Sequence, residues 1–413
     1  MTCYPWLGAR QSRWPTVPIR KVCHLGTGHT PDRSQPEFWR EADCDVPWVT
    51  VADIHRLSGL GLTPLEDTEQ HISELGLAHS AAVLHPPGTV MVSRTASIGF
   101  ACRIARPMAT TQAFVTWTPG PSVDSRYLLL VAKALGPEFD RLAYGSTHLT
   151  IYMPDLESVS MPLPPLTTQR AIADYVERQA ERVDALIAAK QRMVGLLDER
   201  LAIYTRRLLM AGDHLLRPLK RAWRVIDCKH RTPSYVDHGY PVISPGDTTP
   251  GRLDLSRAHR FVGETDYRDL TAGGRRPRKG DIVYSRNASI GIAAFVDTEL
   301  PFCMGQDVCL ISSDSASQLF LTYFLNSLGL DQLEEQKVGS TFSRVNIAQI
   351  LELIVPTPPR DDQLRVARRI DEQHNSQAAI VDALESQIAL LEERRQSLIA
   401  AAVTGQLEVP EAV

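Results

Sequence analysis

The chain states one pattern twice, about 194 residues apart, and this duplication restricts its architecture more than any other feature. Ser93-Arg94-Thr95-Ala96-Ser97-Ile98-Gly99 returns as Ser285-Arg286-Asn287-Ala288-Ser289-Ile290-Gly291, and Gly145-Ser146-Thr147 returns as Gly339-Ser340-Thr341. Pro162, Pro164, Pro165 and Gln169 are matched at the same offset by Pro356, Pro358, Pro359 and Gln363. A solenoid unit spans only roughly 20–50 residues. The repeat is therefore a duplicated domain with an attached helix, a design suited to a two-part target.

At 413 residues the chain exceeds one ordinary core; a prior of roughly one domain per 100–200 residues gives two to four. With 43% hydrophobic and 22% charged residues it reads as globular rather than disordered or fibrous. Met1 to Pro15 lacks an apolar run of signal-peptide length, and there are nowhere about 18 consecutive apolar residues. The expected location is cytoplasmic. Seven cysteines, an odd number with no Cys-x-x-Cys pair, support neither a disulfide framework nor a zinc site. They read as isolated reduced thiols. The net charge of −4 is not the footprint of a nucleic-acid binder, yet Arg217 to Asp281 holds 14 Lys/Arg against 8 Asp/Glu, a local net of +6.

The organisation expected from these patterns is a short extension over 1–13, a mixed α/β domain over 14–162, and a helix over 163–212. A second domain over 213–357, a second helix over 358–404 and a tail over 405–413 follow. Val46 to Val51, Thr89 to Ser93, Tyr240 to Ser244, Asp281 to Ser285 and Val308 to Ile311 are β-branched runs that predict strands. Ser125 to Leu135 and Gln318 to Leu328 predict helices.

Between the domains, Ile172, Val176, Gln179, Val183, Leu186, Lys190, Met193 and Leu197 alternate in steps of four and three. An extra four-step to Leu201, then Tyr204 and Leu208, makes a seven-residue seam with one stutter. Val366, Ile370, Ile380, Leu384, Leu391 and Leu398 repeat it near the C-terminus. Rods of roughly 40–45 residues at about 1.5 Å each cannot bury such a stripe alone. The fold class expected is thus α+β: two mixed domains, each followed by a long helix, the helices forming an antiparallel coiled coil about an approximate two-fold axis. Polar seam residues Gln179, Lys190, Gln373 and Gln377 would fix register.

Catalytic signatures are missing. There is no phosphate-binding Gly-x-x-x-x-Gly-Lys-Ser/Thr loop, and Gly26-Thr27-Gly28-His29-Thr30-Pro31 has proline where a dinucleotide loop needs its third glycine. The double prolines lack the neighbours that an amino-methyltransferase uses to grip an amine. Pro154-Asp155 lacks the Glu-x-Lys of a metal-dependent nuclease.

The positive candidates are loops. Arg94 and Arg286, with Ser97, Asn287 and Ser289, could present guanidinium forks to guanine edges or phosphates; the alternative is a tight turn whose arginines pair with local carboxylates. Ser146, Thr147, Ser340 and Thr341 could bind phosphate or merely cap helices. Lys229, His230 and Arg231 offer three consecutive donors. Arg275, Arg276, Arg278 and Lys279 are generic phosphate-binding chemistry or a solvated loop.

Taken together, the domain-helix-domain-helix order, the Thr-Pro elements, the Ser-Arg-x-x-Ser-Ile-Gly and Gly-Ser-Thr loops, and the Pro162 to Gln169 lead-in resemble the specificity subunits of type I restriction-modification systems. The resemblance covers essentially the whole chain. It departs at Arg360, and at Thr168 and Asp362, where the family usually has Glu before Gln. It implies a non-catalytic DNA-binding subunit in which each target-recognition domain reads half of an asymmetric bipartite site and the coiled coil sets the spacing. Partners implied are double-stranded DNA, modification subunits that bind S-adenosylmethionine and methylate adenine, and restriction subunits that use ATP and Mg²⁺. No cofactor is expected on this chain itself. The rival readings are a duplicated coiled-coil scaffold without DNA readout and an enzyme carrying its own nuclease or methyltransferase centre.

Overall fold

The computed structural model describes residues 13–57, 61–95, 97–145, 149–337 and 344–409. The chain divides into two compact units, Met1–Gln191 with Glu385–Val413, and Arg192–Leu384. In the first unit the order is β1 (Thr16–Pro18), β2 (Cys23–Thr27), β3 (Val46–Val49), α1 (Val51–His55), β4 (His71–Ile72), α2 (Glu74–Ala78), β5 (Val90–Ser93) and β6 (Ala101–Arg103). β7 (Ala109–Thr110), β8 (Phe114–Pro119), α3 (Ser125–Ala134), α4 (Gly136–Leu142), α5 (Met153–Ser158), β9 (Ser160–Pro162) and the long α6 (Leu166–Leu209) follow.

The main sheet has the order β2-β8-β5-β6, all antiparallel. Its central strands are buried on both faces, which is why Val90 to Ser93 reads as a continuous run instead of alternating. A small sheet β4-β3-β7 stands apart, and β1 pairs antiparallel with β9, Thr16 opposite Pro162. The run expected to extend as a strand to Val51 stops at Val49. Thr50 instead caps α1, its N–H and hydroxyl both donating to Asp53 at 2.8 and 2.7 Å.

The second unit repeats the plan. It runs β10 (Leu216–Pro218), β11 (Arg224–Asp227), β12 (Tyr235–Val236), β13 (Tyr240–Ile243), β14 (Gly251–Arg252), β15 (Phe261–Val262), α7 (Glu264–Thr271), β16 (Ile282–Ser285), β17 (Ala293–Phe295) and β18 (Cys303–Met304). Then come β19 (Val308–Ser312), α8 (Gln318–Leu325), α9 (Leu328–Lys337), α10 (Ile347–Leu351), β20 (Ile354–Pro356) and α11 (Arg360–Thr404). The sheets are β11-β19-β16-β17-β14 and β12-β15-β13-β18, with β10 paired to β20. Ser244 and Asp247 form a capping box at the place of Thr50 and Asp53.

Each core fuses a mixed α/β domain with stretches of both long helices. In the first unit Trp117, Tyr127 and Phe139 pack with Ile172 and Val176 of α6 and with Ile399 and Val403 of α11. In the second, Tyr284, Phe320 and Phe324 pack with Leu209 of α6 and Ile370 of α11. Buried apolar side chains of this size contribute roughly 1.5–3 kcal/mol each. The helix leaves each domain through a buried glutamine. Gln169 Oε1 accepts from the Asp124 N–H at 2.8 Å, and its amide donates to the Ser122 and Pro164 carbonyls at 2.9 Å. Gln363 accepts from the Ser317 N–H at 2.8 Å and donates to the Pro358 carbonyl at 2.9 Å. In both cases the N–H belongs to the residue capping the domain's own helix, α3 or α8.

The long helices have 44 and 45 residues. In the first unit Asp184 pairs with Arg395 and Lys190 with Gln387, so α6 and α11 run antiparallel there. In the second, Gln377, buried in the seam, donates to Asp198 at 3.3 Å. The seam is phased differently from the sequence expectation. Leu186 and Met193 are each 52% exposed, whereas Ala180 and Ile187 are buried. The two consecutive four-steps thus fall at Ile172, Val176 and Ala180, not at Leu197 and Leu201. Adjacent apolar positions fit either phase of the pattern, and only packing distinguishes them. Among the described residues no helix is long and apolar enough to cross a membrane.

Candidate nucleic-acid interface

The Ser-Arg loops share one backbone frame. Ser93 accepts from the Gly99 N–H at 2.9 Å and its hydroxyl donates to the Thr95 carbonyl at 3.1 Å; Ser285 does the same with Gly291 at 3.0 Å and Asn287 at 3.1 Å. Gly99 and Gly291 close the loops at φ of +83° and +86°, a left-handed conformation that side chains resist. The arginine carbonyl accepts the Ile151 N–H in one domain and the Val345 N–H in the other.

These arginines turn inward. Arg286 is 3% exposed, and its Nη1 lies 2.8 Å from Asp227 Oδ1. Burial favours the protonated Asp227 carboxyl, yet Arg286 and His230 outweigh it and lower the pKa below its ordinary value. Arg286 therefore does not face a polyanion. This corrects the expectation for that position: its charge is neutralised inside the domain, and exposing it would strand Asp227. Half-buried Arg94, whose domain has Thr27 where the other has Asp227, donates instead to the Gln112 carbonyl at 3.1 Å and the Ile151 carbonyl at 3.3 Å.

The other expected residues fall as follows. Ser97, half-buried, bonds His55 Nε2 at 3.2 Å. Asn287 donates to Asp307 at 3.3 Å, and Ser289, two residues on, is half-buried. Lys229 is held by Asp269, and Arg231 by Asp266 and Asp269. The Lys229 hydrogen bond lowers the Asp269 pKa. His230 Nε2 lies 3.1 Å from Asp227 Oδ2. Arg275 donates to the carbonyls of Asp227 at 3.0 Å and Ala272 at 3.1 Å. Arg276 and Arg278 are exposed, as is Lys279, 3.7 Å from Asp297. Ser146, Thr147, Ser340 and Thr341 lie outside the described residues.

Asp227, Cys228 and His230 bring ligating atoms within 4.8 Å of one another. Asp227 is already committed to Arg286, and burial, then Asp227 itself, raises the Cys228 thiol pKa. The group is thus better suited to anchoring Arg286 than to holding a metal.

One feature escaped sequence reasoning. The Thr30 hydroxyl donates to Gln112 at 2.7 Å, and Gln306 donates to the Thr232 hydroxyl at 2.9 Å; Thr30 is half-buried and the other three are exposed. The two glutamines obey the 194-residue offset, a signal that was available.

Comparison with known proteins places these loops in context. The family model described as the type I restriction modification DNA specificity domain matches residues 11–192 and 231–398. The chain is 25% identical over 195 residues to the specificity subunit of the type I restriction enzyme MjaIX of Methanocaldococcus jannaschii, covering 47% of this chain and 43% of that one. It is 31% identical over 98 residues to the EcoprrI specificity subunit of Escherichia coli, covering 24% and 22%. The alignments thus span less than half the length of these curated relatives. Among solved structures, a chain from work on assembly and conformational transition of a type I R-M system superposes with a TM-score of 0.73 at 17% identity, covering 97% of this chain and all of that one. The HsdS subunit of Thermoanaerobacter tengcongensis gives 0.54 at 17% identity, covering 97% and 99%.

Proposed function

Because the chain belongs to the type I restriction modification DNA specificity family, we propose that it is the sequence-specifying, non-catalytic subunit of a type I restriction-modification complex. Each recognition domain reads one half of an asymmetric bipartite DNA site. The paired helices set the number of base pairs between the halves and dock the modification subunits. Those partners bind S-adenosylmethionine and methylate adenine; restriction subunits using ATP and Mg²⁺ join them.

The observation that carries this reading is duplication of the frame with divergence of the loops. Both domains have the strand pair, the buried glutamine and the Ser-Arg backbone frame. Their exposed loops carry different side chains, as two different half-sites require. A scaffold without DNA readout would have no need of that divergence.

Exchange of residues 14–162 for the equivalent domain of a relative tests it. Mapping methylated adenines in a host carrying the hybrid should show one half-site altered and the other intact. Change in both halves, or in neither, would refute the division of labour. Insertion of a few residues near Leu197 should alter the spacer alone.

A further inference from the structure

Two exposed arginines that carry no ion pair, Arg33 and Arg260, fall at an informative place. Gln70 and Arg260 occupy one structural position in the two small sheets: the Gln70 carbonyl accepts from the Trp48 N–H at 3.0 Å, and the Arg260 carbonyl accepts from the Val242 N–H at 2.9 Å. Trp48 and Val242 are repeat partners on β3 and β13. Around that position each domain builds a guanidinium against an aromatic ring.

In the first domain the guanidinium is Arg33, from the loop that follows Thr30-Pro31. Its Nη2 donates to Gln70 Oε1 at 3.2 Å, and its carbon lies 4.1 Å from the Trp39 ring centre and 5.3 Å from that of Trp48. The platform is fixed. Trp39 and Trp48 meet edge to face at 5.1 Å, and their indole N–H groups donate to the Asp32 and His29 carbonyls at 3.1 and 3.2 Å. In the second domain the guanidinium is Arg260 itself, 5.2 Å from the Tyr235 ring centre and 3.4 Å from its hydroxyl. Arg33 and Arg260 are both exposed.

Contrast with Arg231 and Arg286 gives these two their meaning. Arg231 is held by Asp266 and Asp269, and Arg286 by Asp227. Among the described residues neither Arg33 nor Arg260 joins an ion pair. A flat guanidinium stacked on an aromatic face loses little further freedom on binding and keeps its donor edge outward. That edge matches the O6 and N7 acceptors of guanine in the major groove.

We propose that Arg33 and Arg260 are the equivalent base-reading forks of the two recognition domains, each contacting a guanine in its own half of the site. The assignment rests on the bipartite DNA-reading function proposed above. Arg33→Ala removes readout in one half-site, and Arg260→Ala removes it in the other. Loss of one bidentate contact reduces discrimination at that base pair by about 5- to 150-fold. Arginine-to-lysine substitution keeps the charge and removes the fork, so base preference falls while binding to unrelated DNA and its salt dependence stay near those of the parent.

The test uses the full chain assembled with its modification subunits. Methylated adenines are mapped for the parent, Arg33→Ala, Arg33→Lys, Arg260→Ala and Arg260→Lys complexes, and binding is measured to duplexes with single base-pair changes. The expected result is relaxation at a single position, in different halves for the two arginines, with the spacer unchanged. An unchanged methylated sequence, uniform weakening on all sequences, or relaxation of the same half by both substitutions overturns the assignment. Should an alanine variant fail to fold, the lysine variant of the same residue decides. If the parent complex itself recognises no bipartite site, the proposed function fails, an outcome separable from failure of the two arginines.

Discussion

Replacing Gln169 by alanine should lower the stability of the first unit by about 3 kcal/mol. Three hydrogen bonds are lost, to the Asp124 N–H and the Ser122 and Pro164 carbonyls, at roughly 1 kcal/mol each. Gln169 is fully buried, so water cannot easily take over. At roughly 2–4 °C per kcal/mol for a unit of this size, the melting temperature should fall by about 6–12 °C. Calorimetry of the full chain measures the shift, and hydrogen exchange at the Asp124 amide locates it. Gln169→Glu should be worse than alanine at pH 7, because a buried carboxylate would face two carbonyl oxygens; the deficit should narrow as pH falls and the group gains a proton. Gln112→Ala is the control, since its bond to Thr30 is exposed and should matter by less than about 0.5 kcal/mol. A shift under about 2 °C for Gln169→Ala, or equal shifts for both variants, would refute the view that this glutamine latches helix to domain.

Other outcomes follow from buried charge and from caps. Burial, reinforced by Arg395, lowers the Lys133 pKa from 10.5 to about 8. The unfolded chain then binds more protons than the folded one between those values, so stability should rise with pH across that window, by about 3 kcal/mol in total. Lys133 donates to the Ala101 carbonyl, whereas Asn326 makes two bonds to the equivalent Ala293; Lys133→Asn should abolish the rise in pH-dependent denaturation curves. Asp227→Asn should destabilise the second unit by about 3–5 kcal/mol through the uncompensated charge of buried Arg286. In the parent, the Asp227 contribution is present above the ordinary carboxyl pKa of 3.8 and is lost as pH falls through the lower folded value, which acid titration of unfolding will show. Asp53→Ala and Asp247→Ala should each cost about 0.5–2 kcal/mol by removing a capping box, read as falls in denaturant midpoint, the larger for Asp53, which also accepts from the Glu69 N–H at 2.9 Å and from Arg56 at 2.8 Å.

What was legible in the sequence was what local periodicity controls. The runs at Val90, Tyr240, Ile282 and Val308 are strands, and the prolines before Leu166 and Arg360 precede the two long helices. The seam was phased wrongly because Leu186 and Ile187, or Met193 and Val194, are equally apolar neighbours, and burial by a second helix decides between them. Gln169 was visible as a repeated letter, but its partners Asp124 and Ser122 lie 45 and 47 residues earlier in the sequence. Arg286 looked like a free fork because Asp227, the residue that neutralises it, belongs to a strand two positions away in the sheet. Arg33 went unnoticed for the opposite reason: its platform of Trp39, Trp48 and Gln70 exists only once β3 and the chain before β4 are paired.

The short strand pairs β1-β9 and β10-β20 have a consequence for how such a chain can change over generations. Each brings the chain back beside the point from which it set out, Thr16 facing Pro162 and Leu216 facing Pro356. Growth or loss of a loop inside a domain therefore leaves the geometry of the crossing untouched, and doubling a loop's length adds only about 0.6 kcal/mol of closure entropy. The crossing itself is made of main-chain bonds, indifferent to which side chains lie beyond it. A lineage can thus revise its vocabulary while its grammar stays fixed.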